Sequence, residues 1–124
     1  MTSNLRSRLG PLGEQLAAEH LMRLGFAVLD RNYRTRFGEL DIVAFDGRIL
    51  VFCEVKTRRA GGSAGGALAA VGPGKQAQVR RMAAGWLAER PNRPYAEVLR
   101  FDAIGITVDG AGEMLALEHV EGAF

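Results

Sequence analysis

Two apolar runs flanking a tight turn constrain this chain more than any other feature. Leu40-Asp41-Ile42-Val43-Ala44-Phe45 and Leu50-Val51-Phe52-Cys53-Glu54-Val55 stand on either side of Asp46-Gly47, a dipeptide suited to a two-residue hairpin turn. The predicted strands are Glu39–Phe45 and Arg48–Thr57, and their apolar content marks them as central and buried. With a two-residue loop Phe45 faces Arg48, Glu39 faces Glu54 and Asp41 faces Phe52. Side chains two apart share a face of a strand, so Glu39, Asp41, Glu54 and Lys56 are predicted to project together. A four-residue loop preserves that arrangement and a three-residue loop breaks it.

Three carboxylates on one buried face repel one another, and like charges opposed across a strand pair destabilise it. Ionised acids in such a place need a counter-charge or a metal, and one lysine cannot neutralise three carboxylates. A divalent cation can, and oxygen ligands point to Mg²⁺ or Mn²⁺. The alternative is that Glu39 and Glu54 lie at exposed strand ends and pair with arginines such as Arg34 or Arg58, as surface ions commonly do.

The rest of the chain supplies a frame for this hairpin. A helix is predicted over Pro11–Leu24, with Ala17, Leu21 and Leu24 on one side, and a strand over Phe26–Arg34. A second helix is predicted over Lys75–Arg90, with Val79, Met82, Ala83, Trp86 and Leu87 as its apolar stripe. Strands follow at Ala96–Val108 and Glu113–Val120. The order αβββαββ gives an α/β (α+β) class, a sheet flanked by helices. At 124 residues and 48% hydrophobic content the chain is read as one domain, 1–124. Residues 1–9 are read as flexible, and 58–74, which hold six of the 16 glycines, as a mobile Gly-rich loop.

Several function classes drop out on composition. No run of about 18 apolar residues spans a membrane, and residues 1–9 have no apolar stretch of the kind a signal peptide needs, so a cytoplasmic location with no membrane partner is expected. The single cysteine, Cys53, excludes an internal disulfide, and with only His20 and His119 beside it a four-ligand zinc site cannot form. Gly74-Lys75 imitates a phosphate loop but lacks its first glycine and the following Ser or Thr. Ser3, Ser7 and Ser63 have no nucleophile-elbow context, and Cys53 alternates away from the acids as a small packing residue.

The set Asp41, Glu54, Lys56 resembles the acid, acid-x-lysine signature of the PD-(D/E)xK nuclease superfamily. More closely, the chain resembles the YraN family of uncharacterised bacterial proteins, which are predicted endonucleases. The resemblance rests on Gly13-Glu14, Arg31-Asn32-Tyr33-Arg34, Gly38 to Ala44, Leu50 to Arg58, Lys75 and Arg100-Phe101-Asp102. It implies a restriction-endonuclease-like core, a mixed sheet with helices on both sides, similar to archaeal Holliday junction resolvases. It further implies that Asp41 and Glu54 bind a divalent metal, that Lys56 is catalytic, and that Glu14 matches an additional acid in the first helix. The chain departs from the family where members carry an acid before Ala-Val, since it has Ala69-Ala70-Val71.

Charge points to a polyanionic partner. Residues 1–100 carry a net +7 and residues 101–124 a net −5, a basic body with an acidic end. Arg34, Arg36, Arg58 and Arg59 flank the acids in sequence and suit bidentate phosphate contacts. Lys75 is placed to reach the sheet face, and Tyr33, interleaved with the arginines, is placed to stack on bases. The expected function is therefore a metal-dependent nuclease acting on DNA, structure-specific for branched or single-stranded forms. In it Asp41 and Glu54, with the Val55 carbonyl as a further ligand, hold the metal; Lys56 acts at the phosphate; and Glu39 and Glu14 serve as additional ligands or water-orienting groups. The alternative is a non-catalytic nucleic-acid-binding or assembly protein on the same fold. A homodimer is compatible with a core this small.

Overall fold

The computed structural model describes residues 5–61 and 73–124. Its elements run α1 (Leu5–Arg23), β1 (Ala27–Thr35), β2 (Gly38–Phe45), β3 (Ile49–Arg59), α2 (Pro73–Glu89), β4 (Val98–Val108) and β5 (Met114–Val120). The five strands form one mixed sheet in chain order, β1-β2-β3-β4-β5. The pairs β1–β2, β2–β3 and β4–β5 are antiparallel and β3–β4 is parallel. A parallel pair needs a crossover, and the chain between β3 and β4 contains α2.

Each face of the sheet has its own helix. Ala17, Ala18 and Leu21 of α1 pack on Ile42, Ala44, Val51, Cys53, Ile104, Ile106 and Val108. Val79, Met82, Ala83 and Trp86 of α2 pack on Leu40, Val43, Leu50, Phe52 and Ala103. Neighbours such as Val51 and Phe52 therefore belong to opposite cores, and cover on both faces accounts for the continuous apolar runs in β2 and β3. The α2 stripe falls at the predicted spacing. Trp86 is fully buried, edge-on to Phe52 at 5.7 Å between centroids, and its indole N–H donates to Asp30 at 3.0 Å. That bond satisfies the one polar atom such a ring carries into a core.

Several boundaries differ from the sequence expectation. Helix α1 begins six residues before Pro11, so residues 5–9, read above as flexible, are helical. The turns around Pro11 bring Leu9 and Leu12 onto the α1 core, and that burial offsets the lost backbone bond. Leu24 lies beyond the helix end and is 52% exposed, because the chain turns away through Gly25 at φ 98°. Arg58 and Arg59, assigned above to the loop, are in β3, where they pair with Thr107 and Val108. At the other end of that predicted loop, residues 73 and 74 already belong to α2, with Pro73 at the first helical position. Residues 62–72, including Ala69-Ala70-Val71, lie outside the described residues.

The hairpin turn is longer than two residues. Phe45 pairs with Leu50 and Ile42 with Cys53, leaving four residues, 46–49, between the last paired positions of β2 and β3, with Ile49 already in β3 through its pairing with Val98. Asp46 explains it: its carboxylate accepts the backbone N–H groups of Arg48 (2.9 Å) and Ile49 (2.7 Å), and these bonds favour a wider turn. The shift is by two residues, so Glu39 no longer faces Glu54, nor Asp41 Phe52, while the faces of the paired residues are unchanged.

Candidate metal site

Beyond Ile42 and Cys53 the β2–β3 ladder stops, and the next position on each strand is an acid, Asp41 and Glu54. The Val55 N–H donates instead to the Asp41 carboxylate at 2.7 Å. A side chain thus replaces a backbone partner, and β2 and β3 part at this point. Asp41 is 9% exposed and Glu54 4%. Burial, then the neighbouring charge of Glu54, push the Asp41 carboxyl up to about 7 against the Val55 hydrogen bond, and Glu14 and Glu39 add to the rise.

Glu14, Glu39 and Asp41 converge, with one carboxylate oxygen from each lying within 4.8 Å of the others. Glu14 reaches this place because Gly13 lets α1 approach β3 closely: a Cβ added there would stand 1.6 Å from the Thr57 hydroxyl oxygen. Burial holds the Glu14 carboxyl above its ordinary range, partly offset by a hydrogen bond from Asn32.

The strict alternation expected for β2 does not hold. Leu40 packs on the α2 side and Ile42 on the α1 side, so the pleat is broken at Asp41, which shares the α1-side cluster with Glu14 and Glu39. Glu54 leaves β3 toward α2, where Lys75 Nζ lies 2.9 Å from its Oε1. Its other oxygen, Oε2, is buried without a hydrogen-bond partner among the described residues. Glu54 therefore stands outside the three-carboxylate group, and Asp41 connects the two.

The remaining predicted residues fall into distinct places. Lys56, two residues beyond Glu54, is exposed and makes no ion pair among the described residues. Lys75, predicted as a phosphate contact, instead sits on Glu54. Arg34 is 84% exposed and bonds Glu39 across the strands at 3.1 Å, which realises the ion-pair alternative for that one acid. The Arg36 and Arg81 guanidinium groups flank the Phe37 ring at 4.9 and 4.8 Å. Arg59 is exposed and Arg58 half-buried. Tyr33, expected to stack on bases, is packed against the α2-side core; its hydroxyl donates to Glu89 at 2.7 Å, and Arg90 lies 5.4 Å from its ring centroid.

A second buried charge escaped the sequence reading. Asp102 is fully buried in β4 and accepts hydrogen bonds from Arg100 (2.9 Å) and the Gly122 N–H (3.1 Å), with His119 Nε2 at 2.7 Å. His119 Nδ1 lies 3.0 Å from His20 Nε2, so the chain of contacts reaches α1. Burial alone would raise the Asp102 carboxyl, but these bonds hold it below its usual range. Burial also lowers His20, helped by His119 and Arg23. The three side chains come from α1, β4 and β5, so no local spacing signals them.

The donor set suits a hard divalent cation: Glu14, Glu39 and Asp41 bring three carboxylate oxygens together, Glu54 lies next to Asp41, and the half-buried Lys75 ammonium is held by Glu54. Among the described residues the Glu54 Oε2 atom, buried without a hydrogen-bond partner beside Asp41, is a further oxygen open to such an ion. Among the described residues no helix is long and apolar enough to cross a membrane.

The model of the uncharacterised protein family UPF0102 matches residues 13–106. A UPF0102 protein of Frankia alni is 47% identical over 124 residues, covering the whole of both chains. One from Frankia casuarinae is 47% identical over 119 residues, 96% of this chain and 98% of its own, and one from Streptomyces griseus is 48% identical over the same shares. The matched segment contains Glu14, Glu39, Asp41, Glu54, Lys56 and Lys75, and on this evidence the chain belongs to family UPF0102, the YraN family that its sequence resembles.

Proposed function

We propose that the protein is a Mg²⁺- or Mn²⁺-dependent nuclease that hydrolyses phosphodiester bonds in DNA. The observation that carries this reading is the surplus of buried acid where β2 and β3 part: Asp41 raised to about 7, with Glu54 beside it holding an unpartnered oxygen. A fold does not keep such an arrangement for stability, since each buried carboxylate without a partner costs free energy. Asp41 would hold the cation, with Glu14 and Glu39 on one side, Glu54 on the other and the Val55 carbonyl as a further oxygen. When bound, the cation supplies positive charge that polarises the phosphate and acidifies an attacking water.

The chain's own residues divide the remaining work. Lys56, exposed beside Glu54, meets the reacting phosphate and stabilises charge that builds there in the transition state. Lys75 neutralises Glu54 while no cation is held. Arg34, Arg36, Arg58 and Arg59 grip flanking phosphates in bidentate fashion. The Lys75–Glu54 pair also favours a second reading, a nucleic-acid-binding protein without turnover, because an ammonium already occupies one of the two main ligands. The test is a panel of duplex, single-stranded, flap and four-way DNA with Mg²⁺ or Mn²⁺. The nuclease reading expects cleavage that needs the metal and is abolished in Asp41→Asn and Lys56→Ala. Metal-independent binding with no cut in any substrate supports the second reading and overturns the first.

A further inference from the structure

Among the described residues, Asn32 is the only non-glycine residue with a positive φ, 54°. Asparagine tolerates this conformation better than most residues, yet it still carries strain, and strain of this kind gathers at functional sites. Its place in the sheet is informative. Arg31 pairs with Ile42 and Tyr33 with Leu40, so Asn32 lies across from Asp41 on the neighbouring strand.

The left-handed turn has a definite consequence for direction. Asp30 bonds Trp86 and Arg90 of α2, Arg31 bonds Gln15 of α1, and Tyr33 bonds Glu89 of α2. Regular alternation would send Asn32 toward α2. Its side chain instead bonds Glu14 of α1. Two consecutive residues of β1 thus face α1, matching the pleat break at Asp41 on β2. The unusual backbone places an amide donor on the one carboxylate of the cluster that comes from a helix and not from the sheet.

We infer that Asn32 is a positioning residue: its left-handed backbone aims the side-chain amide at Glu14 and fixes that carboxylate beside Asp41 and Glu39, where all three can share one cation. This rests on the metal reading above. An outer group that orients a ligand changes metal affinity without touching the metal. A residue serving only the sheet would change stability and leave affinity alone.

The experiment is a double-variant cycle read as Mn²⁺ affinity by calorimetry at pH 8, on folded protein verified by circular dichroism and thermal melting in EDTA. Asn32→Gly keeps the backbone conformation and removes the amide, and should weaken Mn²⁺ binding about tenfold without lowering the melting temperature. Asn32→Ala also removes the amide but retains the strain; it should melt lower than the glycine variant yet bind Mn²⁺ equally weakly. Glu14→Ala should weaken binding by itself, and in that background Asn32→Gly should cause no further loss, because the amide then has nothing to orient. Unchanged affinity in both Asn32 variants, or losses that simply add to that of Glu14→Ala, overturns the inference while the metal reading stands. Failure of the unsubstituted protein to bind Mn²⁺ overturns the metal reading itself.

Discussion

Replacing Asp41 by Asn should stabilise the protein, and the size of the gain follows from the site. The Asp41 carboxyl is raised from 3.8 to about 7. A tenfold change in proton affinity corresponds to about 1.4 kcal/mol, so holding this carboxylate ionised in the folded state costs about 4 kcal/mol at most. The asparagine amide keeps an oxygen for the Val55 N–H, but a neutral acceptor is weaker than a carboxylate by about 1 kcal/mol. A net gain of about 2–3 kcal/mol is expected above pH 7, roughly 5–10 °C in melting temperature for a chain of this size. The sign follows from linkage: a raised acid contributes stability that is complete below pH 3.8 and is lost as pH rises through 7. The advantage of the variant should therefore grow from pH 4 to pH 7 and remain flat above it. Melts in EDTA at pH 5 and pH 8 measure this. Saturating Mn²⁺ should reverse the order, since only the wild-type carboxylate gains from the ion. If Asp41→Asn melts below wild type at pH 8 in EDTA, Asp41 is a structural acceptor for Val55 and its burial and the neighbouring acids do not destabilise the fold.

Three further outcomes are expected. Gly13→Ala should cost about 2–3 kcal/mol in chemical denaturation, because the new methyl must displace α1 from Thr57, and Mn²⁺ affinity should fall with it as Glu14 moves away. His119→Ala should cost about 3 kcal/mol at pH 7.5, since it removes a partner from a fully buried carboxylate. Changing Arg34 and Arg58 together to Ala should reduce the salt dependence of DNA binding by about two phosphate contacts, whereas Lys56→Ala should leave that slope nearly unchanged.

What the sequence made legible was whatever depends on local period. The Val79, Met82, Ala83, Trp86 stripe and the two apolar runs around Asp46-Gly47 specify α2 and the β2–β3 hairpin, because burial on a fixed face selects residues at fixed spacing. Turn length was not legible from Asp-Gly, since the Asp46 carboxylate stabilises a wider loop. The site was legible in its members but not in its grouping. Strict alternation put Asp41 with Glu54 and Lys56 on one face, and the break in the pleat instead put Asp41 with Glu14. That break depends on the neighbouring strand at Asn32 and on α1, so nothing within β2 announces it. The Lys75–Glu54 pair and the Asp102–His119–His20 chain join segments far apart in sequence, where only the assembled sheet brings them into contact.

Chain-order strands also bear on how the protein assembles. Each strand hydrogen-bonds to its predecessor in the chain, and the one long closure is the crossover from Arg59 to Val98 that carries α2. Short closures precede long ones on entropic grounds, so β1, β2 and β3 can organise from local contacts before β4 docks. Glu14, Glu39, Asp41 and Glu54 all lie ahead of that crossover, and Lys75 lies within it. Glu39, Asp41 and Glu54 therefore come together while Lys75 is still outside and Arg34 of β1 offsets only Glu39, so the early hairpin is expected to form faster in refolding at pH 4 than at pH 8, where all three acids are ionised in the unfolded chain.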